Sequence, residues 1–283
     1  MNRNVRKFVL EIGIPIVLLA IPFFLPLYYF TFDISTLLTV VSLIFAILIG
    51  FFIATATTNY LRLQSLIADE DSSLISIFDL SKIVQLSEVP KMKEIIDRYA
   101  TAALDFELTE YVEKTQKEFR DLLSSIDTLS PQDEKGLELF GNLHDKKSQL
   151  VRIRQEITFV ARRIVTLRHW IILVLLAILL ISLLFSIRDG HWFLSSIVGS
   201  LSVATYLVLV LLHEVDSNVF LEEKLAYENT QQIFLALGTM KYIPHHAFQN
   251  KRVKEPEEDY RVGEFKDYPN SLEREIKVIR KSS

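Results

Sequence analysis

Hydrophobic and polar positions are sorted along this chain into long blocks. Four blocks are apolar, Phe8–Phe32, Ile34–Ala56, Trp170–Ile187 and Phe193–Leu212, and Glu11 is the only charged residue within them. A bilayer needs about 20 consecutive apolar residues per helical span, with a range of ~17–25. The pattern therefore predicts four transmembrane helices. Between the second and third blocks the spacing is still helical, but only one face is apolar. Leu63, Ile67, Leu74 and Phe78 read as the second span continuing beyond the membrane. Ser87 with Pro90 predicts a restart, followed by Met92, Ile95, Ile96, Tyr99, Ala103 and Phe106. Ser130-Pro131-Gln132-Asp133 predicts a further helix start, with the serine as N-cap and the proline at the first helical position. From there Leu143, Leu150, Ile157 and Ile164 recur every seven residues, with Ile153 and Val160 between them. That single stripe runs into the third span, as the face either of a helical bundle or of a coiled contact between subunits.

Composition narrows the function. The 283 residues contain 31 Lys and Arg, 35 Asp and Glu and no cysteine. Disulfide scaffolds, thiol nucleophiles and cysteine metal sites are excluded, and a slightly acidic chain has no electrostatic footprint for nucleic acid. The first apolar run is too long for a signal peptide, carries three prolines and lacks a small-residue cleavage site. All but one of the 31 basic residues lie before the first span, in the segment from Thr57 to His169, or after Leu212; Arg188 is the exception. The positive-inside rule then places both termini and the long segment in the cytoplasm of a multi-pass cell-membrane protein. The expected parts are a first transmembrane pair (1–58), a cytoplasmic helical insert (59–169), a second pair (170–212), a cytoplasmic helix (213–249) and a charged tail (250–283). The class is an all-α membrane protein with long cytoplasmic helical extensions. Half of the tail is charged, so it is either disordered or an arm anchored by Tyr260, Phe265 and Tyr268.

Several residues in and beside the spans need a reason. Ser42, Ala46, Gly50 and Ala54 place a small side chain every four positions on the second span, and Gly199 with Ser195 and Ser202 repeats the theme on the fourth. Small stripes let backbones approach closely, within one subunit or between subunits ranged about an axis. One position along, Leu43, Ile47 and Phe51 form a bulky stripe. Around an axis it would line a hydrophobic constriction that gates by dewetting. Glu11 follows Lys7 by one turn, either as an interfacial pair or as a functional acid. Pro15, Pro22 and Pro26 break the first span, which requires neighbours to satisfy the freed carbonyls. Arg162, Arg163 and Arg168, with Arg152 and Arg154 further back, suit lipid headgroups or an anion-concentrating vestibule. Glu214 and Asp216 could take a cation, but their spacing fits no metal motif, so no metal is expected. Asp69-Glu70-Asp71 reads as a solvated acidic face. With no phosphate loop, nucleophile elbow or dinucleotide fingerprint, neither an enzyme nor a cofactor is expected.

The order of parts over roughly residues 8–240 resembles the bestrophins and their prokaryotic relatives. Ile49-Gly50-Phe51 is similar to the Leu-Gly-Phe of the bestrophin neck, and Leu43, Ile47 and Phe51 match its hydrophobic positions at i, i+4 and i+8. The stretch from Glu214 to Phe220 is similar to the acidic segment after the last bestrophin span, although Asn218 replaces its proline and the dense acid run is absent. The resemblance implies a homo-oligomeric, pentameric ion channel whose partners are the lipid bilayer, further copies of itself and small inorganic ions, without calcium gating. The alternative is a non-conducting, membrane-anchored helical scaffold that docks partners through the insert and tail.

Overall fold

In lipid an apolar segment must close its backbone hydrogen bonds on itself, and a helix does so within one stretch of chain. The computed structural model describes residues 12–26, 34–106, 108–161, 165–188, 190–217, 229–244, 247, 253, 255–267 and 270–281. It is mostly helical, and the chain divides into two compact units. One holds Met1–Thr58 and Arg163–Ser217; the other holds Asn59–Arg162 and Asn218–Ser283.

The first unit is apolar. It contains α1 (Ile14–Phe24), the first part of α2 (Ile34–Val84), α7 (Leu167–Ser186) and α8 (Trp192–Asp216). The last three are long and apolar enough to cross a membrane. Helix α1 has 11 residues; of the expected Phe8–Phe32 span, residues 8–11, which include Glu11, and 27–32 lie outside the described residues. Val41, Phe45, Ile49, Phe52 and Ala56 of α2 pack in one core with Leu173, Ala177 and Leu180 of α7 and with Val198 and Leu212 of α8. The α7–α8 connection turns at Gly190, whose φ of 87° suits a residue without Cβ.

The prolines of α1 have a specific partner. Pro26 has no N–H to give the Pro22 carbonyl one turn back. The buried Arg188 guanidinium donates to that carbonyl instead, and to those of Leu25 and Pro26 at 3.1 and 3.0 Å. Its Nε also donates to the Phe185 carbonyl at 3.0 Å, closing the end of α7. Arg188→Ala orphans these acceptors, each worth about 1–3 kcal/mol when buried. We expect the detergent-solubilised protein to melt several degrees lower; an unchanged melting curve would show the contacts to be dispensable.

The second unit carries the remainder of α2, a 3₁₀ turn (Leu86–Glu88), α3 (Val89–Asp105), α4 (Leu108–Lys114), α5 (Gln116–Asp127), α6 (Glu134–Val160) and a helix whose described residues are 229–237. Its core joins Leu63, Leu74 and Ile77 of α2, Met92 and Ile96 of α3, Leu122 and Ile126 of α5, and the α6 stripe of Leu143, Leu150, Ile153, Ile157 and Val160.

Three expectations are corrected here. Helix α6 starts at Glu134 rather than Pro131: Asp133 is the N-cap and accepts from Gly136 N–H at 2.6 Å. The Ser130 and Gln132 amides are instead engaged with Gln85 and the Val84 carbonyl. The stripe does not run unbroken into the third span, because Val165 and Thr166 are not helical, and Ile164 lies outside the described residues. The Val165 amide donates to the Asp216 carboxylate at 3.1 Å, so it is not part of a helical ladder.

The third correction concerns the all-α class. Strands β1 (Lys241–Pro244), β2 (Tyr260–Phe265) and β3 (Arg274–Ile279) form a sheet in that order. β1 pairs parallel to β2, with Lys241 opposite Tyr260, and β2 pairs antiparallel to β3, with Tyr260 opposite Ile279. The charged segment is therefore an arm rather than a disordered tail. Tyr260 is buried and Phe265 lies 5.5 Å from the Phe106 ring; Tyr268 lies outside the described residues. Its charges fasten it: Arg261 bonds both Asp97 oxygens at 2.7 Å, and Arg274 pairs with the buried Asp105.

Candidate functional site

Two sets of residues merit attention, one in each unit. In the apolar unit, α2 turns its two faces to different surroundings. Val41, Phe45, Ile49, Phe52 and Ala56 recur every three or four residues and bury against α7 and α8. On the opposite face Leu43, Ile47 and Phe51 are 60%, 62% and 61% exposed. The small residues Ala46, Gly50 and Ala54 are exposed beside them, and Ser42 is half-buried. A methyl added at Gly50 would meet nothing within 4 Å. Gly199 of α8 is the opposite case, since a methyl there would sit 2.9 Å from the Leu19 carbonyl oxygen of α1. Hydroxyls on α2 are satisfied locally: Ser42 donates to the Thr39 carbonyl at 2.9 Å and Thr55 to that of Phe51 at 2.8 Å. The exposed face is thus chemically apolar.

Arg162 and Arg163 lie outside the described residues, and Arg168 is exposed in the first turn of α7. Glu214 is half-buried, whereas Asp216 is buried with its carboxylate on the Val165 amide. Among the described residues no three His, Asp or Glu side chains gather to hold a metal.

Sequence reasoning named members of the second set separately but did not bring them together. Glu70 and Asp71 are 5% and 8% exposed, not a solvated face, and only Asp69 of the acidic run points to water. Glu70 accepts from the Tyr99 hydroxyl at 2.5 Å and from the Tyr111 hydroxyl at 2.7 and 2.6 Å. Arg154 of α6, 5% exposed, donates to the Tyr99 oxygen at 2.7 Å, the Val112 carbonyl at 2.6 Å and the Thr115 hydroxyl at 2.9 Å. Its guanidinium lies 4.2 Å above the Phe119 ring. Arg154 is therefore committed inside the unit rather than to a vestibule. The signal was available in the spacing: Glu70 is three positions after Ile67 and four before Leu74, and so stands in the apolar stripe itself.

Burial sets the protonation of this network. It raises Glu70 despite the two tyrosine hydrogen bonds and the Arg154 charge, and it raises Asp71 further, with Glu70 beside it adding to the shift. Burial and the Glu70 charge push both tyrosines well up, so they remain neutral donors. Burial alone would weaken the Arg154 charge, but Tyr99, Tyr111 and Glu70 outweigh it. A second acid, Asp105, accepts from the Tyr242 hydroxyl at 2.6 Å and is lifted by burial to about 6.

A family model for the Bestrophin-like domain matches residues 34–217. The chain belongs to the bestrophin-like family. The matched span of this bestrophin-like protein includes the exposed α2 face and the buried Glu70–Arg154 network, and it stops before the 229–237 helix and the sheet. No curated protein matches the sequence. Two crystal structures of single-residue variants of a bacterial bestrophin homologue from Klebsiella pneumoniae match with TM-scores of 0.62 and 0.59. They are 11% and 12% identical, and the matches cover 82% and 84% of this chain and 97% and 100% of theirs. A further crystal structure, described as a membrane protein, matches with a TM-score of 0.59 at 11% identity over 82% of this chain and 99% of its own. At such identities the likeness is one of fold.

Proposed function

We propose that this bestrophin-like chain is a homo-oligomeric, pentameric ion channel of the cell membrane. It has four spans, with both termini in the cytoplasm. The α2 helices stand around the axis, and Leu43, Ile47 and Phe51 form its hydrophobic neck. One observation carries the reading: α2 leaves a bulky apolar stripe exposed beside exposed small residues, with open space at Gly50. Such a face suits an axis where small residues allow close approach and bulky ones narrow the water path. Membership of the bestrophin-like family supports a channel as the activity class, and small inorganic ions are the proposed cargo. No catalytic role is assigned.

The test is ion flux from liposomes containing the purified protein. Ile47→Ala and Phe51→Ala widen the neck, and flux is expected to rise about tenfold, the change that accompanies roughly 1.4 kcal/mol off the barrier. Flux equal to that of empty liposomes, from protein that is monomeric in detergent, would sink the proposal. A second reading, a non-conducting scaffold, is favoured by the outer strand β3, which exposes Ile276 and Val278 where a partner strand could add. Intact oligomers that carry no flux would support it instead.

A further inference from the structure

Glu70 and Asp71 are consecutive on α2, and both line one small cavity of about 40 Å³. Leu74, Ala100, Leu104 and Ile233 close it with apolar groups. Donors within it are unequally shared. Glu70 takes both tyrosine hydroxyls, and Arg154 spends its hydrogen bonds on Tyr99, Val112 and Thr115. Asp71 has the Thr230 hydroxyl, 3.3 and 3.5 Å from its two oxygens, and a hydroxyl has one proton to give. Arg154 offsets the charge of Glu70 alone, so ionising both adjacent carboxyls leaves an excess negative charge in a largely apolar pocket.

We propose that Glu70 and Asp71 form a proton-binding pair whose single bound proton latches the 229–237 helix onto the core through Thr230. With the proton present, Asp71 is neutral and its hydrogen bond to Thr230 holds without a desolvated charge behind it. With both carboxyls ionised, the pocket takes in water and the helix lifts. Among the described residues, the groups that face the pair are Tyr99 from α3, Tyr111 from α4, Arg154 from α6 and Thr230 from 229–237. The tyrosines stay neutral, so the carboxyls are the titrating groups. Asp71 is raised in the folded protein, so the latch's stabilisation is complete at low pH and is lost as pH rises through its folded-state value.

Hydrogen exchange of the full-length protein in detergent tests the latch without reference to conduction, so its failure and that of the channel reading are separate. Corrected for intrinsic rates, protection of the 230–237 amides is expected to fall with rising pH by up to about tenfold per unit, the limit for one proton. Asp71→Asn is permanently neutral and should remove that dependence, holding protection at its low-pH level. Asp105→Asn controls for the nearby acid that titrates at about 6 and should leave the dependence intact. A pH response unchanged in Asp71→Asn, or abolished by Asp105→Asn alone, overturns the proposal. If Asp71→Asn fails to fold, infrared spectra of Asp105→Asn over the same pH range decide: a protonated carboxyl band that disappears together with the 230–237 protection supports the pair, and no such band refutes it.

Discussion

Replacing Arg154 by leucine is expected to destabilise the second unit by about 3–5 kcal/mol, the cost of leaving one partner of a buried charge network behind. Leucine fills part of the volume but gives no donor. The Val112 carbonyl and the Thr115 hydroxyl would lose the Arg154 donor, the hydroxyl keeping only its bond to the Tyr111 carbonyl, and Glu70 would lose the positive charge that opposes its desolvation. Lysine should restore little, because one ammonium cannot reach three acceptors arranged around a planar fork. Both tryptophans, Trp170 and Trp192, belong to the first unit. Near-ultraviolet dichroism of the tyrosines is therefore the appropriate readout. Glu70→Gln added to Arg154→Leu should recover part of the loss, since the orphaned charge is removed with its partner. Strict additivity of the two substitutions would show that they do not share a network.

Gly263→Val should be nearly as damaging, at roughly 3–5 kcal/mol from overpacking and a broken buried hydrogen bond. A Cβ at Gly263 would sit 1.8 Å from the Tyr242 hydroxyl oxygen and 2.6 Å from Cζ. Tyr242 is fully buried and donates to Asp105, so the ring has nowhere to go. The glycine is required for space rather than for an unusual backbone angle. We expect β2 and β3 to detach together, because β2 is the middle strand. Protease cleavage between residues 260 and 281 should then precede cleavage of the helices. A variant whose strands resist protease as well as the wild type would refute the steric account.

The helices were legible because their physics is local. Long runs without charge marked the apolar helices, and the seven-residue recurrence from Leu143 to Ile157 marked the α6 core face from spacing alone. The sheet was not legible, because its apolar residues are few and its pairings join distant stretches of chain. β3 alternates Glu275, Ile276, Lys277 and Val278, a period of two, yet Ile276 and Val278 remain exposed and mark no core. The α6 start was misplaced because Ser130 and Asp133 are both good caps, and the choice between them rests on distant contacts of residues 84–85. Glu70 was misread because an acidic triplet looks solvated until its middle member is placed on the apolar stripe.

The Arg188 contacts to α1 also set an order of manufacture. The guanidinium reaches the Pro22 carbonyl from 166 residues downstream. At translation rates of about 5–20 residues per second, roughly 10–30 s separate the emergence of the two. During that interval the first apolar segment is in place while carbonyls at its broken end still need a donor. The ribosome must deliver the α7–α8 turn before the first helix can be finished, so truncating the chain ahead of residue 188 should leave that helix open to the membrane's quality-control proteases.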